Sequence, residues 1–289
     1  MKLGVVFPQT EIGTEPAAIR EYAQAAERAG YDHLLIYDHV LGADPDRPGG
    51  LRGPYTHESV FHEPLVLCGY LAAITQRLEL VTGILILPQR QTALVAKQAA
   101  QVAVLSGNRL RLGVAVGWNP IEFEALNEDF SNRGRRIEEQ IALLRALWSR
   151  DVISFEGRWH HVNKAGINPR PPDGFIPIWM GGMSDAAIER TGRLADGWFP
   201  QYREPKELAA GVARMRAAAE TAGRDPGAIG IEARVTLTGA EGDIPRAVKL
   251  AREWQQAGAT HLTVNTMGAG LTSHERHIEA VEAFIRAAR

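Results

Sequence analysis

Asp38 and His39 are adjacent side chains that can take part in proton transfer, and they follow the apolar segment 33–37. Histidine is suited to proton transfer near neutral pH, and a neighbouring carboxylate helps to set its protonation state. The alternative is that the pair only hydrogen-bonds a loop in place. The pair is therefore a candidate for acid–base chemistry, and its residue types alone leave both interpretations open.

A turn with two glycines is the second candidate. The apolar segment 176–180 leads into Gly181 and Gly182, and a predicted helix then begins after Ser184, with Met183 in the turn. Glycine lets the backbone approach a ligand closely, and the amides at a helix N-terminus attract phosphate. A tight turn that binds no ligand is the alternative.

Two more glycines mark the ends or interruptions of apolar segments. Gly83 interrupts residues 80–88, and such a glycine often indicates a bulge or a close contact between backbone and ligand. Gly117 ends the segment 113–117 and precedes Trp118. Trp118 is a candidate wall of a pocket, although a tryptophan of the core has the same sequence signature.

Histidine is also a metal ligand, and the chain has nine histidines. His274 and His277 share one face of the last predicted helix, away from the strand ends and from any cluster of acids or cysteine. His160 and His161 are neighbours in a predicted strand, where adjacent side chains point to opposite faces. We therefore expect no metal site. The sequence has no serine nucleophile elbow, Walker A loop or Rossmann glycine triplet.

The elements that must position these residues alternate between short apolar segments and longer segments of helical period, which is typical of repeated βα units. Strands of a parallel sheet are buried on both faces and therefore read as continuous apolar runs. Eight is the strand count of a (β/α)8, or TIM, barrel, whose catalytic groups project from the C-terminal strand ends. We predict this α/β fold as a single domain over residues 1–289 from about eight strand segments: 3–7, 33–36, 78–81 with 84–87, 110–116, 176–180, 197–199, 231–237 and 261–264.

Two segments are insertions beyond the strands and helices of a minimal barrel. Residues 42–62 are rich in glycine, proline and charge, and residues 151–172 contain a predicted β-hairpin with Gly157 at its turn. We expect both insertions to follow strands and to cover the C-terminal face as lids. A decorative or partner-binding surface is the alternative. Thr14 is the predicted N-cap of the first helix, two residues before Pro16.

Composition narrows the class of partner. Lys and Arg number 32 against 34 Asp and Glu, so neither nucleic acid nor an anionic membrane surface is expected to bind. No signal-peptide pattern and no uninterrupted apolar run of membrane-spanning length occurs. Cys68 is the only cysteine, which excludes an internal disulfide and fits a reducing compartment. We expect a cytoplasmic enzyme that acts on small molecules.

Taken in order, a set of segments resembles the luciferase-like monooxygenase superfamily, and within it the actinobacterial oxidoreductases that depend on the deazaflavin coenzyme F420. No single segment is decisive, and together they are more specific for the superfamily than for the cofactor. They span nearly the whole chain: 37–39, 82–88, 97–98, 105–109, 113–124, 133–136, 168–171, 178–182 and 195–200.

The resemblance implies where a cofactor binds. Its phosphate is expected on the backbone amides of the turn formed by Gly181, Gly182, Met183 and Ser184. The backbone from Thr82 through Gly83 to Ile84 is expected to form a bulge, commonly with a non-prolyl cis peptide, behind the ring. Gly117 and Trp118 are expected beside the cofactor at the end of the fourth strand.

The resemblance also implies roles for the Asp-His pair, which lies beside the ring in deazaflavin members. His39 is then expected to exchange a proton with the substrate during hydride transfer, and Asp38 to bind the cofactor or orient His39. Some deazaflavin members carry an acid just after the glycine that ends strand 4, where this chain has Trp118. This departure argues against a sugar-phosphate substrate and favours an apolar or aromatic one.

Two alternatives to an F420-dependent oxidoreductase stay open. An FMN-dependent monooxygenase that uses O2 with a separate reductase needs the same phosphate turn. A non-catalytic flavin-binding or regulatory barrel is the other, and the intact glycines and His39 argue against it. We also expect a homodimer, served by a flavin or F420 reductase.

Overall fold

The computed structural model describes residues 1–50, 53–240 and 242–289, so residues 51 and 52 of the first predicted insertion lie outside the described part. The strands are β1 (Lys2–Val6), β2 (His33–Ile36), β3 (Glu79–Thr82), β4 (Leu85–Ile86), β5 (Leu110–Ala115), β6 (Ile153–Glu156), β7 (His161–Ala165), β8 (Ile178–Gly181), β9 (Gly197–Phe199), β10 (Gly230–Thr236) and β11 (His261–Asn265). Parallel strands form a closed ring, in the order β3-β2-β1-β11-β10-β9-β8-β5-β4, with β3 also paired to β5.

β3 and β4 share one position in the ring, because both pair with β5 and only Gly83 and Ile84 separate them. The described residues therefore form an eight-position barrel, and the eight predicted strand segments are confirmed. The residues of β2, β5 and β8 are buried throughout, as expected for strands covered on both faces. The (β/α)8 prediction is correct.

Helices cover the outside of the ring. α1 presents a buried stripe of Ile19, Tyr22, Ala23 and Ala26 to the core, as its helical spacing predicts. Its N-cap is Glu15 rather than the predicted Thr14, because Pro16 occupies the first helical position. The helices are α1 (Pro16–Ala29), α2 (Pro64–Ile74), α3 (Thr92–Ser106), α4 (Pro120–Ala125), α5 (Arg133–Ser149), α6 (Asp185–Leu194), α7 (Leu208–Thr221), α8 (Asp243–Gln256) and α9 (His274–Ala288).

The two predicted insertions differ in position. Residues 42–62 follow β2, as expected, and a bridge joins Ala43 to Thr56. Residues 151–172 follow α5 and contain the β6–β7 hairpin, so the expectation that they follow a strand is wrong. The hairpin turn is fixed to α5, because Glu139 accepts hydrogen bonds from the backbone of Arg158 and Trp159. Its antiparallel pairing was visible in the sequence.

The N-terminal half of the barrel interior holds a buried ionic cluster. Arg111 lies between Glu232 (2.8 Å) and Glu79 (3.0 Å), and His33 Nε2 lies 2.8 Å from the other oxygen of Glu232. Although burial opposes its ionisation, the charges of His33 and Arg111 hold the pKa of Glu232 below its usual value. We call His33, Glu79, Arg111 and Glu232 the lower layer. In the described residues, no helix combines the length and apolarity needed to cross a membrane.

Candidate active site

A cavity of about 410 Å3 opens at the C-terminal ends of the strands. The barrel closes β2, β4, β5, β8 and β10 around it, which brings together residues far apart in the sequence. Of the predicted site residues, Thr82 and Ser184 do not line this cavity. Those that do are Asp38, His39, Gly83, Ile84, Gly117, Trp118, Gly181, Gly182 and Met183.

Asp38 ties the end of β2 to β4. The residue is 3% exposed, and its carboxylate accepts hydrogen bonds from Ile86 N (2.9 Å) and Arg90 Nη2 (2.8 Å). Burial raises the pKa of the Asp38 carboxyl, and the Arg90 charge opposes that rise. The carboxylate is thus held by the barrel. Among the described residues, no hydrogen bond joins Asp38 to His39, so the expectation that Asp38 orients His39 has no support from a direct contact.

Glu122 holds His39 instead. Its Oε1 accepts from Val40 N (2.9 Å) and lies 3.1 Å from His39 Nδ1. Because this oxygen is an acceptor, Nδ1 is the protonated ring nitrogen, and Nε2 is left for a ligand. Glu122 is buried, at 1% exposure. Glu122 therefore fixes both the ring orientation and the tautomer of His39.

Sequence reasoning missed Glu122, although a signal for its helix was present. Asn119 caps α4 by accepting from Ile121 N (3.2 Å), and Pro120 occupies the first helical position. This pair starts a helix immediately after the β5 turn, which aims Glu122 back towards β2. The local sequence predicts the helix but does not predict the contact between Glu122 and His39.

Three aromatic rings surround His39. Its ring centroid lies 4.7 Å from that of Phe61, 5.0 Å from Tyr55 and 5.7 Å from Trp118. Tyr55 and Phe61 belong to the first insertion, so this segment packs over the predicted site as expected. Trp118 is 43% exposed and lines the cavity, which makes it a pocket wall and not part of the core.

The bulge expected from the resemblance is present. The Gly83–Ile84 peptide is cis, and both residues line the cavity. Thr82 is buried, and its Oγ1 donates to Gly113 O (2.7 Å), which fixes β3 to β5 beneath the bulge. A Cβ on Gly83 would lie 2.2 Å from Leu35 Cδ2, so close packing requires glycine at this position.

The glycine turn after β8 is open to the cavity on its backbone side. Gly182 has a φ of 129°, and a Cβ there would lie 2.8 Å from Ala187 Cβ. Its carbonyl accepts from Trp198 Nε1 (2.8 Å), which fixes the turn. Ser184 is the N-cap of α6, as predicted, and accepts from Ala187 N (3.3 Å). The close backbone and the helix N-terminus suit a phosphate group.

Arg234 and Tyr37 are cavity residues that sequence reasoning missed. Arg234 lies on β10, and its Nη1 donates to Tyr37 Oη (2.9 Å) across the mouth of the barrel. Burial raises the pKa of the nearby Tyr55 phenol, a shift that Tyr37 increases and the Arg234 charge opposes. Only the closure of the barrel brings these positions together, because 197 residues separate Arg234 from Tyr37.

Comparison with known proteins identifies the family. The model of the luciferase-like monooxygenase family matches residues 1–283, so the chain belongs to that family. The fold agrees with this assignment. An F420-dependent secondary alcohol dehydrogenase has a TM-score of 0.79 at 17% identity, and the match covers 100% of this chain and 99% of that one.

Two relatives use different cofactors. The F420-dependent hydroxymycolic acid dehydrogenase of Mycobacterium tuberculosis is 30% identical over 264 residues, which cover 89% of this chain and 68% of the relative. The FMNH(2)-dependent dimethylsulfone monooxygenase of Pseudomonas putida is 31% identical over 211 residues, or 71% of this chain and 54% of the relative. The family thus includes relatives of both cofactor types.

Proposed function

We propose that this enzyme transfers a hydride between coenzyme F420 and a small organic substrate, with His39 as the proton-exchanging residue. The observation that carries the proposal is the contact of His39 Nδ1 with Glu122, which leaves Nε2 as the nitrogen available to a ligand in the mouth cavity. This arrangement has the geometry of an oriented general acid or base. The similarity to the F420-dependent hydroxymycolic acid dehydrogenase supports the choice of cofactor.

The residues of the cavity fit a cofactor with a phosphate and a flat ring system. The turn of Gly181 to Ser184 offers its backbone amides, and only glycine satisfies the packing and φ of Gly182. Gly83 and Ile84 form a ledge next to this turn, where Ile84 Cγ2 lies 3.2 Å from a Cβ placed on Gly181. A deazaflavin supplies or accepts electrons in pairs, because carbon replaces the ring nitrogen that handles oxygen in flavins.

The protein's own residues orient the substrate and exclude water. Tyr55, Phe61 and Trp118 pack around the His39 ring and remove it from bulk solvent. His39 Nε2 gives a proton to the substrate, or takes one from it, according to the direction of the reaction. Asp38 supports this site from beneath, because its bonds to Ile86 and Arg90 fix the end of β2.

An FMN-dependent monooxygenase is the second candidate, and the similarity to the FMNH(2)-dependent dimethylsulfone monooxygenase favours it. The same glycine turn suits the FMN phosphate. That enzyme would need O2 and a separate reductase to supply reduced flavin. The intact glycine turn and the Glu122–His39 contact argue against a third candidate, a barrel that binds flavin without catalysis.

A side-by-side equilibrium titration of the purified protein with F420 and with FMN tests the proposal, followed by cofactor fluorescence. We expect F420 to bind more tightly. The Gly182→Ala variant serves as a site control and should weaken binding of the preferred cofactor. Preference for FMN would assign the protein to the oxygen-using branch, and binding of neither cofactor would revive the non-catalytic barrel.

A further inference from the structure

Two arginines project into the barrel interior, and their surroundings differ. Arg111, in the lower layer, is 1% exposed, pairs with Glu79 and Glu232, and lies over the Trp179 ring at 4.2 Å. Arg234 is exposed within the mouth, and among the described residues no carboxylate forms an ion pair with it. The first charge is neutralised by the fold, and the second is available to a ligand.

The position of Arg234 follows from the alternation of a strand. Glu232 and Arg234 are two residues apart on β10, so both side chains point to the inside of the barrel. Glu232 faces the lower layer, whereas Arg234 lies about 7 Å nearer the C-terminal end, given a rise of roughly 3.3 Å per residue. Strand geometry therefore directs Arg234 into the cavity that contains His39.

The hydrogen bonds of Arg234 leave most of its capacity unused. A guanidinium has five N–H donors in a planar fork that matches a carboxylate or phosphate. The one side-chain hydrogen bond of Arg234 in the described residues goes to Tyr37 Oη, a neutral acceptor. Tyr37 holds the guanidinium in place without cancelling its charge.

We propose that Arg234 binds an anionic group of the substrate, and that the substrate is an organic acid with an apolar or aromatic body. Arg234 holds the carboxylate, and Tyr55 and Trp118 form the wall for the body. This inference rests on the proposed function for the use of His39 and deepens it. The cofactor phosphate is also an anion that an arginine can bind. However, the turn expected to hold it follows β8, and β9 separates β8 from β10.

Ligand-observed fluorine NMR with 4-fluorobenzoate and 4-fluorobenzamide tests the proposal without cofactor. The two probes have nearly the same shape and differ in charge. We expect the acid to bind at least about tenfold more tightly than the amide, the difference typical of a charge-assisted, bidentate contact. Arg234→Met should abolish this preference. Arg286→Met removes one charge from the outer surface of α9 and should retain it.

Equal binding of the two probes, binding of neither, or an unchanged preference in Arg234→Met would overturn the proposal. An F420 titration of Arg234→Met separates the two sources of the anion. We expect its F420 affinity to stay within about twofold of the parent. A loss of F420 affinity of about tenfold or more would assign Arg234 to the cofactor and overturn the substrate role. Failure of the proposed function is recognised separately, because the parent protein then fails to prefer F420.

Discussion

A histidine–carboxylate pair in the lower layer and another at the mouth have similar geometry. His33 Nε2 lies 2.8 Å from Glu232, and His39 Nδ1 lies 3.1 Å from Glu122. The His33 side chain is completely buried, whereas that of His39 is 10% exposed and lines a cavity. The same pair of residue types can therefore serve stability or chemistry, and accessibility to a ligand decides between them.

The charges around each pair account for this difference. Arg111 completes the lower layer, so every charge there has a partner, as burial requires. Among the described residues at the mouth, Glu122 contacts His39 but no arginine, and Arg234 makes no ion pair. This division agrees with the rule that the C-terminal face of such barrels carries function and the opposite end carries stability.

Replacement of His39 should produce the largest effect and the sharpest contrast between the layers. We expect His39→Ala to lower turnover by about 10²- to 10⁴-fold, the range for loss of a general acid or base, with cofactor affinity nearly unchanged. Steady-state kinetics and a cofactor titration measure both quantities. Unaltered turnover would remove His39 from the mechanism.

Glu232→Gln should affect stability instead. The change leaves the buried His33 without its charged partner and the buried Arg111 with Glu79 alone, at a cost of about 3–5 kcal/mol in the free energy of unfolding. Urea denaturation measures this loss. Glu122→Gln is the matched change at the mouth and should lose far less stability. Similar losses in the two variants would contradict the division between layers.

Gly182→Ala tests the phosphate turn. An alanine at a φ of 129° is strained, and its Cβ would meet Ala187. We expect cofactor binding to weaken by on the order of 1–3 kcal/mol. Gly223→Ala is the control, because Gly223 also has a positive φ (70°) but lies after α7. If both variants bind cofactor as the parent does, the phosphate lies elsewhere.

Glu122→Gln should reduce turnover less than His39→Ala does. The glutamine retains an oxygen for His39 Nδ1 but loses the charge, so we expect a fall of about tenfold, as for one charge-assisted hydrogen bond. Measuring kcat and cofactor affinity side by side separates this positioning role from a folding defect, because a folding defect lowers both and a lost positioning contact lowers kcat alone. A loss as large as that of His39→Ala would mean that Glu122 contacts the reacting groups itself.

Acidification should destabilise the protein slightly through His261, whose ring lies 5.8 Å from that of His33 in the lower layer. Burial, together with the Arg111 charge, lowers the pKa of His261 to about 3. The unfolded chain therefore binds a proton below about pH 6.5 that the folded chain does not, so stability falls as the pH decreases. Because His261 is partly exposed, we expect a loss below about 1 kcal/mol over the first pH unit. His261→Gln should flatten this dependence in urea unfolding curves, and an equal slope would contradict it.

The sequence by itself determined the order and type of the barrel elements and several residues of the site. Apolar runs and helical spacing are local signals, so the strand segments and the α1 stripe could be predicted. The turn after Gly181 and the Asp38–His39 pair could also be recognised as site candidates. Each lies directly after a strand, and the fold places such residues at the C-terminal face of the barrel.

Only the tertiary structure decided how these residues are used. His39 and Glu122 are 83 residues apart, and Arg234 and Tyr37 are 197 apart, so no local pattern links them. The same holds for Asp38, whose partner Arg90 follows β4, and for the hairpin, which lies against α5. Closing the ring creates these contacts and decides which charges are paired, because burial and charge pairing depend on neighbours that the chain brings together only when it folds.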